Sequence, residues 1–165
     1  MRDDYPTPEL STILDMMRDV MQFKENFGQA YIGKPRILPR GLFSFREKFH
    51  REEMGEYADE QDILEAALTR GDQEAIAQSL ERQLDALVDS AYVILGTAYL
   101  QFGGAIFSEA WRRVHEANMK KVVASSAGDE RSHRDATYDI VKPEGWVPPS
   151  HIDLVEDHSH RARGE

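Results

Sequence analysis

Carboxylates recur at helical spacing in two stretches of this 165-residue chain. In Glu52-Glu53-Met54-Gly55-Glu56, Glu53 and Glu56 are three residues apart and Glu52 and Glu56 four; Asp85 and Asp89 are again four apart. On an α-helix, side chains at these separations share a face. Two such faces meeting across a bundle would surround a hard cation with oxygen ligands, the donor set that Mg2+ or Mn2+ prefers, and leave positions for water and phosphate. The competing reading of an acidic run is a solvated helix face, and it applies to Glu60 as well. Asp89 resists it. Its neighbours Leu87, Val88, Ala91, Tyr92, Val93, Ile94 and Leu95 are apolar around nearly the whole helix, a pattern that predicts burial. A buried carboxylate needs a cation, a hydrogen-bond network or a metal.

The elements that must carry these residues read as helices. Apolar positions Leu10, Ile13, Leu14, Met17, Val20, Met21 and Phe27 predict a first helix over about residues 9–28. A proline-fixed loop over 33–39 follows. A second helix is expected over 42–69, with Phe45, Phe49, Met54 and Tyr57 on its apolar side. Arg70-Gly71-Asp72 reads as a stop, a turn and a new N-cap. A third helix should span 73–102 and stop at Gly103-Gly104. A fourth, over 106–123, has Phe107, Ala110, Trp111, Val114 and Met119 at core spacing. Residues 125–129 read as a linker, 136–155 as an extended arm held by Pro143, Pro148 and Pro149, and the end as frayed. The expected fold is thus all-α: a single domain over 1–165, with a bundle of about four long helices over 9–124 and an extended C-terminal arm, shared between subunits of an oligomer.

Composition narrows the class. Twenty basic against 30 acidic residues give a net charge of −10, which repels a duplex nucleic-acid backbone. A free nucleotide differs, because a bound divalent cation reverses the local potential. The chain has no cysteine, which excludes disulfides and thiol chemistry and fits a cytoplasmic setting. Met1 to Pro6 is charged, so no signal peptide is expected. The apolar run 86–100 is shorter than the ~20 residues of a membrane helix, so no membrane partner is expected.

The carboxylate spacing resembles the all-α nucleoside triphosphate pyrophosphatase superfamily, the MazG-like and dimeric-dUTPase-like enzymes, whose signature is Glu-x-x-Glu on one helix and Glu-x-x-Asp on the next. Glu53-x-x-Glu56 matches the first half and Asp89 the final Asp. Three residues before Asp89 stands Ala86 instead of Glu, and Asp85 is the candidate substitute. Asn118-Met119-Lys120-Lys121 is similar to the family's Asn-x-x-Lys element, which in relatives holds substrate phosphates; the other reading is an ordinary helix end with Lys at the negative dipole. Lys142 to Pro149 resembles the tail of a phage and bacterial subgroup.

The resemblance implies a helical hydrolase converting a (d)NTP to a (d)NMP and pyrophosphate, with a slight lean to purine deoxynucleotides such as dGTP and dATP. A dUTP- or dCTP-type enzyme is the alternative within the superfamily. Metal would be held by Glu53, Glu56, Asp85 and Asp89, and Glu53 or Glu52 would orient or deprotonate the attacking water. Asn118 and Lys121 would hold phosphates, with Arg46 or Arg113 assisting. Phe23 and Phe27 could stack on a base, with Gln22 or Asn26 reading its edge, or could be core residues. Trp146 is a second stacking candidate, or a tail anchor. A homodimer or homotetramer is expected. Glu47-x-x-His50 has di-iron spacing, but its only counterpart, Glu130-x-x-His133, falls in the linker. The reading from another class is a non-catalytic helical binding or assembly protein.

Overall fold

The computed structural model describes residues 11–126, 129–132 and 139–159. The fold is all-α: among the described residues there are four helices, α1 (Ser11–Asn26), α2 (Arg40–Arg70), α3 (Gln73–Asn118) and α4 (Ile152–Ser159), with one two-residue ladder, β1 (Val122–Val123) and β2 (Ile140–Val141). The start of the first expected helix lies outside the described residues. The chain divides into two compact units, residues 1–104 and 105–165.

In the first unit, α2 and α3 form an antiparallel hairpin. Its turn is the one the sequence predicts. Gly71 adopts the left-handed conformation (φ 66°), which glycine enters without penalty. The backbone N–H of Asp72 donates to the Ala67 carbonyl at 3.1 Å, and the Asp72 carboxylate caps the Ala75 N–H at 3.1 Å. Along the hairpin, Ser79 Oγ donates to the Glu60 carbonyl (2.8 Å), and Arg46 on α2 reaches Thr97 on α3. α1 runs antiparallel to α3: Tyr99 donates to Glu25 (2.8 Å), and Gly104 lies against Met17 and Met21. Val20, Leu38, Ala67, Ala86, Val93, Tyr99 and Leu100 are buried here.

Helical geometry breaks at Gly103 (φ 74°, ψ 167°), where the sequence predicts a stop. The ring of Tyr31 fills the space that a side chain on Gly103 would occupy. The two carbonyls before the break, Leu100 and Gln101, accept from Arg36 Nε (2.6 Å) and Arg36 N (2.9 Å). The proline-rich loop thereby satisfies groups that the broken helix leaves without a partner.

In the second unit the last part of α3 ends at Asn118, five residues short of the expected end. Val122 and Val123 instead pair antiparallel with Val141 and Ile140. Trp111, Val114 and Met119, expected in the core, are exposed. The arm from Lys142 to Ser150 has no helix or strand, as expected, but then enters α4, which the sequence reading left extended. Arg113 fixes that helix through a bidentate pair with Asp153 (2.6 and 2.7 Å) and a bond to the Ser150 carbonyl (2.8 Å).

The expectation that α3 is buried all round is corrected. Ala86, Ser90 and Val93 are buried, whereas Leu80, Leu84, Leu87, Val88 and Ile94 are exposed. Phe45 and Met54 of α2, expected on its apolar side, are exposed too. By length and composition α3 is also apolar enough to cross a membrane, unlike the shorter run 86–100 on which the sequence expectation rests, and 33% of the qualifying stretch is buried within the protein. Core helices of water-soluble bundles share that composition.

Candidate functional site

Glu53 is one of the most deeply buried charged side chains described, 6% exposed, and its Oε2 has no hydrogen-bond partner. It sits on the face of α2 turned toward α3, in register with Ser90 and Asp89. Burial raises its pKa above the ordinary 4.5, and Asp89, Glu56, Glu52 and Asp85 raise it further, in that order. The five carboxylates of the sequence reading therefore do lie within electrostatic reach of one another. Asp89 itself is exposed at the rim, not buried as its neighbours predict, because the apolar residues beside it face outward. Glu52, Glu56 and Asp85 are exposed as well.

A cleft of about 180 Å³ opens at Glu53 and Asp89. Its other walls are Phe23 and Lys24 of α1, Arg46 and Phe49 of α2, and Tyr92 and Val93 of α3. Among the described residues no three acidic or histidine side chains converge into a finished cage. Like charges at close range hold one another apart until a counter-ion arrives. The donor set itself fits a hard cation: all-oxygen, partly exposed, with one buried carboxylate oxygen lacking any donor. Ala86, where the resemblance would place a glutamate, is 3% exposed. Asp85 contributes the smallest of the acidic influences on Glu53.

Arg46 was singled out from sequence as a phosphate ligand, and it lines this cleft. It is 5% exposed; its Nε donates to Thr97 Oγ1 (3.0 Å) and its Nη2 to the Val93 carbonyl (2.5 Å), so part of the guanidinium remains unspent. The sequence reading missed Lys24, Phe49, Tyr92 and Gly96. Lys24 is 7% exposed and donates to Gln29 Oε1 (3.0 Å). A signal existed: Lys24 falls four residues after the buried Val20, on the apolar register of α1.

Phe23 of α1 and Phe27, just past its end, are not core residues. Phe23 is 42% and Phe27 67% exposed; their rings lie 4.8 Å apart, and Phe23 meets Tyr92 edge-on at 5.6 Å. Gln22 and Asn26 are exposed on the same helix.

Other candidates have structural duties. Glu60 is held by Arg82 (2.6 Å) and Ser79 (3.0 Å), and the Arg82 bond keeps its pKa low. Glu47 pairs with Arg51 (2.9 Å), and His50 bonds Thr97 (3.0 Å). His133 lies outside the described residues. Within the second unit, Arg113 is engaged by Glu109, Ser150 and Asp153. Asn118 is exposed at the end of α3. Lys121 Nζ lies 5.6 Å and Lys142 Nζ 4.8 Å from the Trp146 ring centroid, while Trp146 Nε1 donates to the Ala117 carbonyl (2.9 Å). Trp146 thus has the bonding of a tail anchor.

No protein-family model matches the chain. A search of curated proteins likewise gives no match.

Proposed function

We propose that this protein is a divalent-metal-dependent nucleoside triphosphate pyrophosphohydrolase, releasing a nucleoside monophosphate and pyrophosphate. The observation that carries the reading is the buried Glu53 oxygen with no donor among the described residues, within electrostatic reach of four other carboxylates and at the wall of a cleft that also holds cations and aromatic rings. Evolution rarely retains such a group for stability, because an unsatisfied buried acceptor costs about 1–3 kcal/mol.

Glu53, Glu56, Asp85 and Asp89 would hold Mg2+ or Mn2+. When bound, the cation neutralises phosphate charge and acidifies water. Glu53, or the exposed Glu52 as the alternative base, would orient the attacking water or accept its proton. Phe23 and Phe27 present exposed ring surface beside the cleft, which supports their use for stacking on a base, with Gln22 or Asn26 at its edge. Purine deoxynucleotides such as dGTP and dATP are the favoured substrates, and dUTP or dCTP the alternative. Asn118 and Lys121 remain phosphate-ligand candidates on the resemblance alone.

The test is a panel of NTPs and dNTPs with Mg2+, with products resolved by chromatography. Monophosphate with pyrophosphate is the expected outcome. Diphosphate with orthophosphate would move the protein to another reaction class. Glu56→Ala and Asp89→Ala should each abolish turnover while the circular-dichroism spectrum stays helical; full activity in both would refute the ligand assignment.

One observation favours a second reading, a non-catalytic assembly protein: the run of exposed apolar side chains on α3. Calorimetry with Mn2+ separates the two, since only the enzyme should bind the ion stoichiometrically.

A further inference from the structure

Lys24 and Arg46 form a second buried charge group on the same cleft, and its sign is opposite to that of the carboxylates. Both are more than nine-tenths buried. They converge on Gly96 of α3: a Cβ there would lie 3.0 Å from Lys24 Cε, 3.8 Å from its Nζ and 3.1 Å from Arg46 Nη2. Two like charges thus approach within a few ångströms of one point, in space that only a glycine leaves open. Glycine inside a helix costs up to ~1 kcal/mol relative to alanine, so its presence here needs a packing reason, and these two side chains supply it.

Among the described residues neither cation has an acidic partner. Lys24 bonds the Gln29 amide oxygen; Arg46 bonds a hydroxyl and a backbone carbonyl. Burial, then proximity to Arg46, lowers the Lys24 pKa, and burial lowers that of Arg46. Glu53 and Asp89 line the same cleft yet pair with neither. A purely structural arrangement would let buried opposite charges neutralise each other, since isolated ones are costly. Here they are kept apart, cations on the Gly96 side and carboxylates on the other. Such a cleft complements a ligand that is anionic at one end and metal-bridged at the other.

We infer that Lys24 and Arg46, admitted by Gly96, form the subsite for the pyrophosphate end of the substrate, so that recognition of a triphosphate over a monophosphate resides in this cation pair. The inference rests on the proposed hydrolase reading and adds to it which residues distinguish phosphate-chain length. Lys24 retains two N–H groups beyond its bond to Gln29, and Arg46 retains Nη1 whole, enough for two or three charge-assisted bonds to phosphate oxygens. An anion seated there would also relieve the mutual repulsion of the pair.

The probe is inorganic pyrophosphate in the presence of Mg2+, titrated by calorimetry into the wild-type protein, Lys24→Gln and Gly96→Ala, with a nucleoside monophosphate titrated in parallel. Lys24→Gln should weaken pyrophosphate binding at least tenfold and monophosphate binding less than twofold, with Mn2+ binding unchanged. Gly96→Ala should do the same by pushing both side chains aside. In the absence of anion, Lys24→Gln should also raise the melting temperature, because it removes a buried like-charge contact; a lysine kept for structure would give a fall. Equal pyrophosphate affinity in all three proteins overturns the inference, and so does a lower melting temperature for Lys24→Gln.

Failure of the two readings is distinguishable. Triphosphate hydrolysis with pyrophosphate binding indifferent to Lys24 sinks the subsite alone. Lys24-dependent pyrophosphate binding without hydrolysis of any triphosphate sinks the enzyme reading and leaves the subsite standing.

Discussion

Glu53 places a specific and signed demand on stability. Its pKa is raised first by burial and then by four neighbouring carboxylates, so the folded state holds this proton more tightly than the unfolded chain does. Its contribution to stability is therefore complete below the ordinary value of 4.5 and is lost as pH rises through the raised value. Near neutral pH and without metal, the ionised group opposes folding. Glu53→Gln should then raise the metal-free melting temperature at pH 7.5 by a few degrees, corresponding to about 1 kcal/mol, and the difference should vanish near pH 4. Added Mn2+ should stabilise the unsubstituted protein more than the variant, and kcat of the variant should fall by about 100-fold or more. Thermal melts at the two pH values check the sign, and a variant that melts lower at pH 7.5 would mean that the carboxylate has a protein partner after all. Spacing alone was enough to nominate Glu53, Glu56 and Asp89. For Lys24 spacing gave only its place on the apolar register of α1, a weak signal because lysines on amphipathic helices ordinarily extend their charge to water. Only the packing of α1 against Gly96, a contact between residues 72 positions apart, reverses that default.

The elements were legible where a single residue dictates backbone geometry. Gly71 and Gly103 both stand at positive φ, and each marks a helix boundary read from the chain. Where stability comes from distant partners, the sequence carried no usable signal. α4 has eight residues, too few to persist as an isolated helix, and it is held by Arg113 from 40 positions earlier. The β1–β2 ladder pairs two residues with two, shorter than any periodic strand pattern. The break at Gly103 can be tested directly. Its dihedrals lie in a region essentially reserved for glycine, and a Cβ would meet the Tyr31 ring at 2.6 Å. Gly103→Ala should destabilise the protein by about 1–3 kcal/mol, measured by chemical denaturation. Tyr31→Ala in the same chain should restore only part of the loss, since it relieves the clash but not the dihedral strain. A Gly103→Ala variant as stable as the parent would show that the helix passes through this position unbroken.

At the scale of the molecule, several exposed apolar residues of α3 fall in one line. Leu80, Leu84, Leu87, Ala91 and Ile94 alternate spacings of four and three, the seam along which helices of different chains interlock. Leu80, Leu84 and Ile94 are 51%, 64% and 49% exposed, so the intramolecular core leaves this seam uncovered. We propose that a second copy covers it, in a homodimer or homotetramer. The net charge of −10 opposes self-association, so burial of the seam must outweigh that repulsion. The two forces respond oppositely to salt: screening weakens the repulsion and leaves apolar burial intact. Light scattering after size-exclusion chromatography should therefore give a dimer or tetramer mass that persists, and tightens, in high salt. Leu84→Glu with Leu87→Glu places two charges in the seam and should shift the mass to that of one chain while the circular-dichroism spectrum remains helical. An unsubstituted chain that runs as a monomer at every salt concentration would leave the seam without a partner of its own kind.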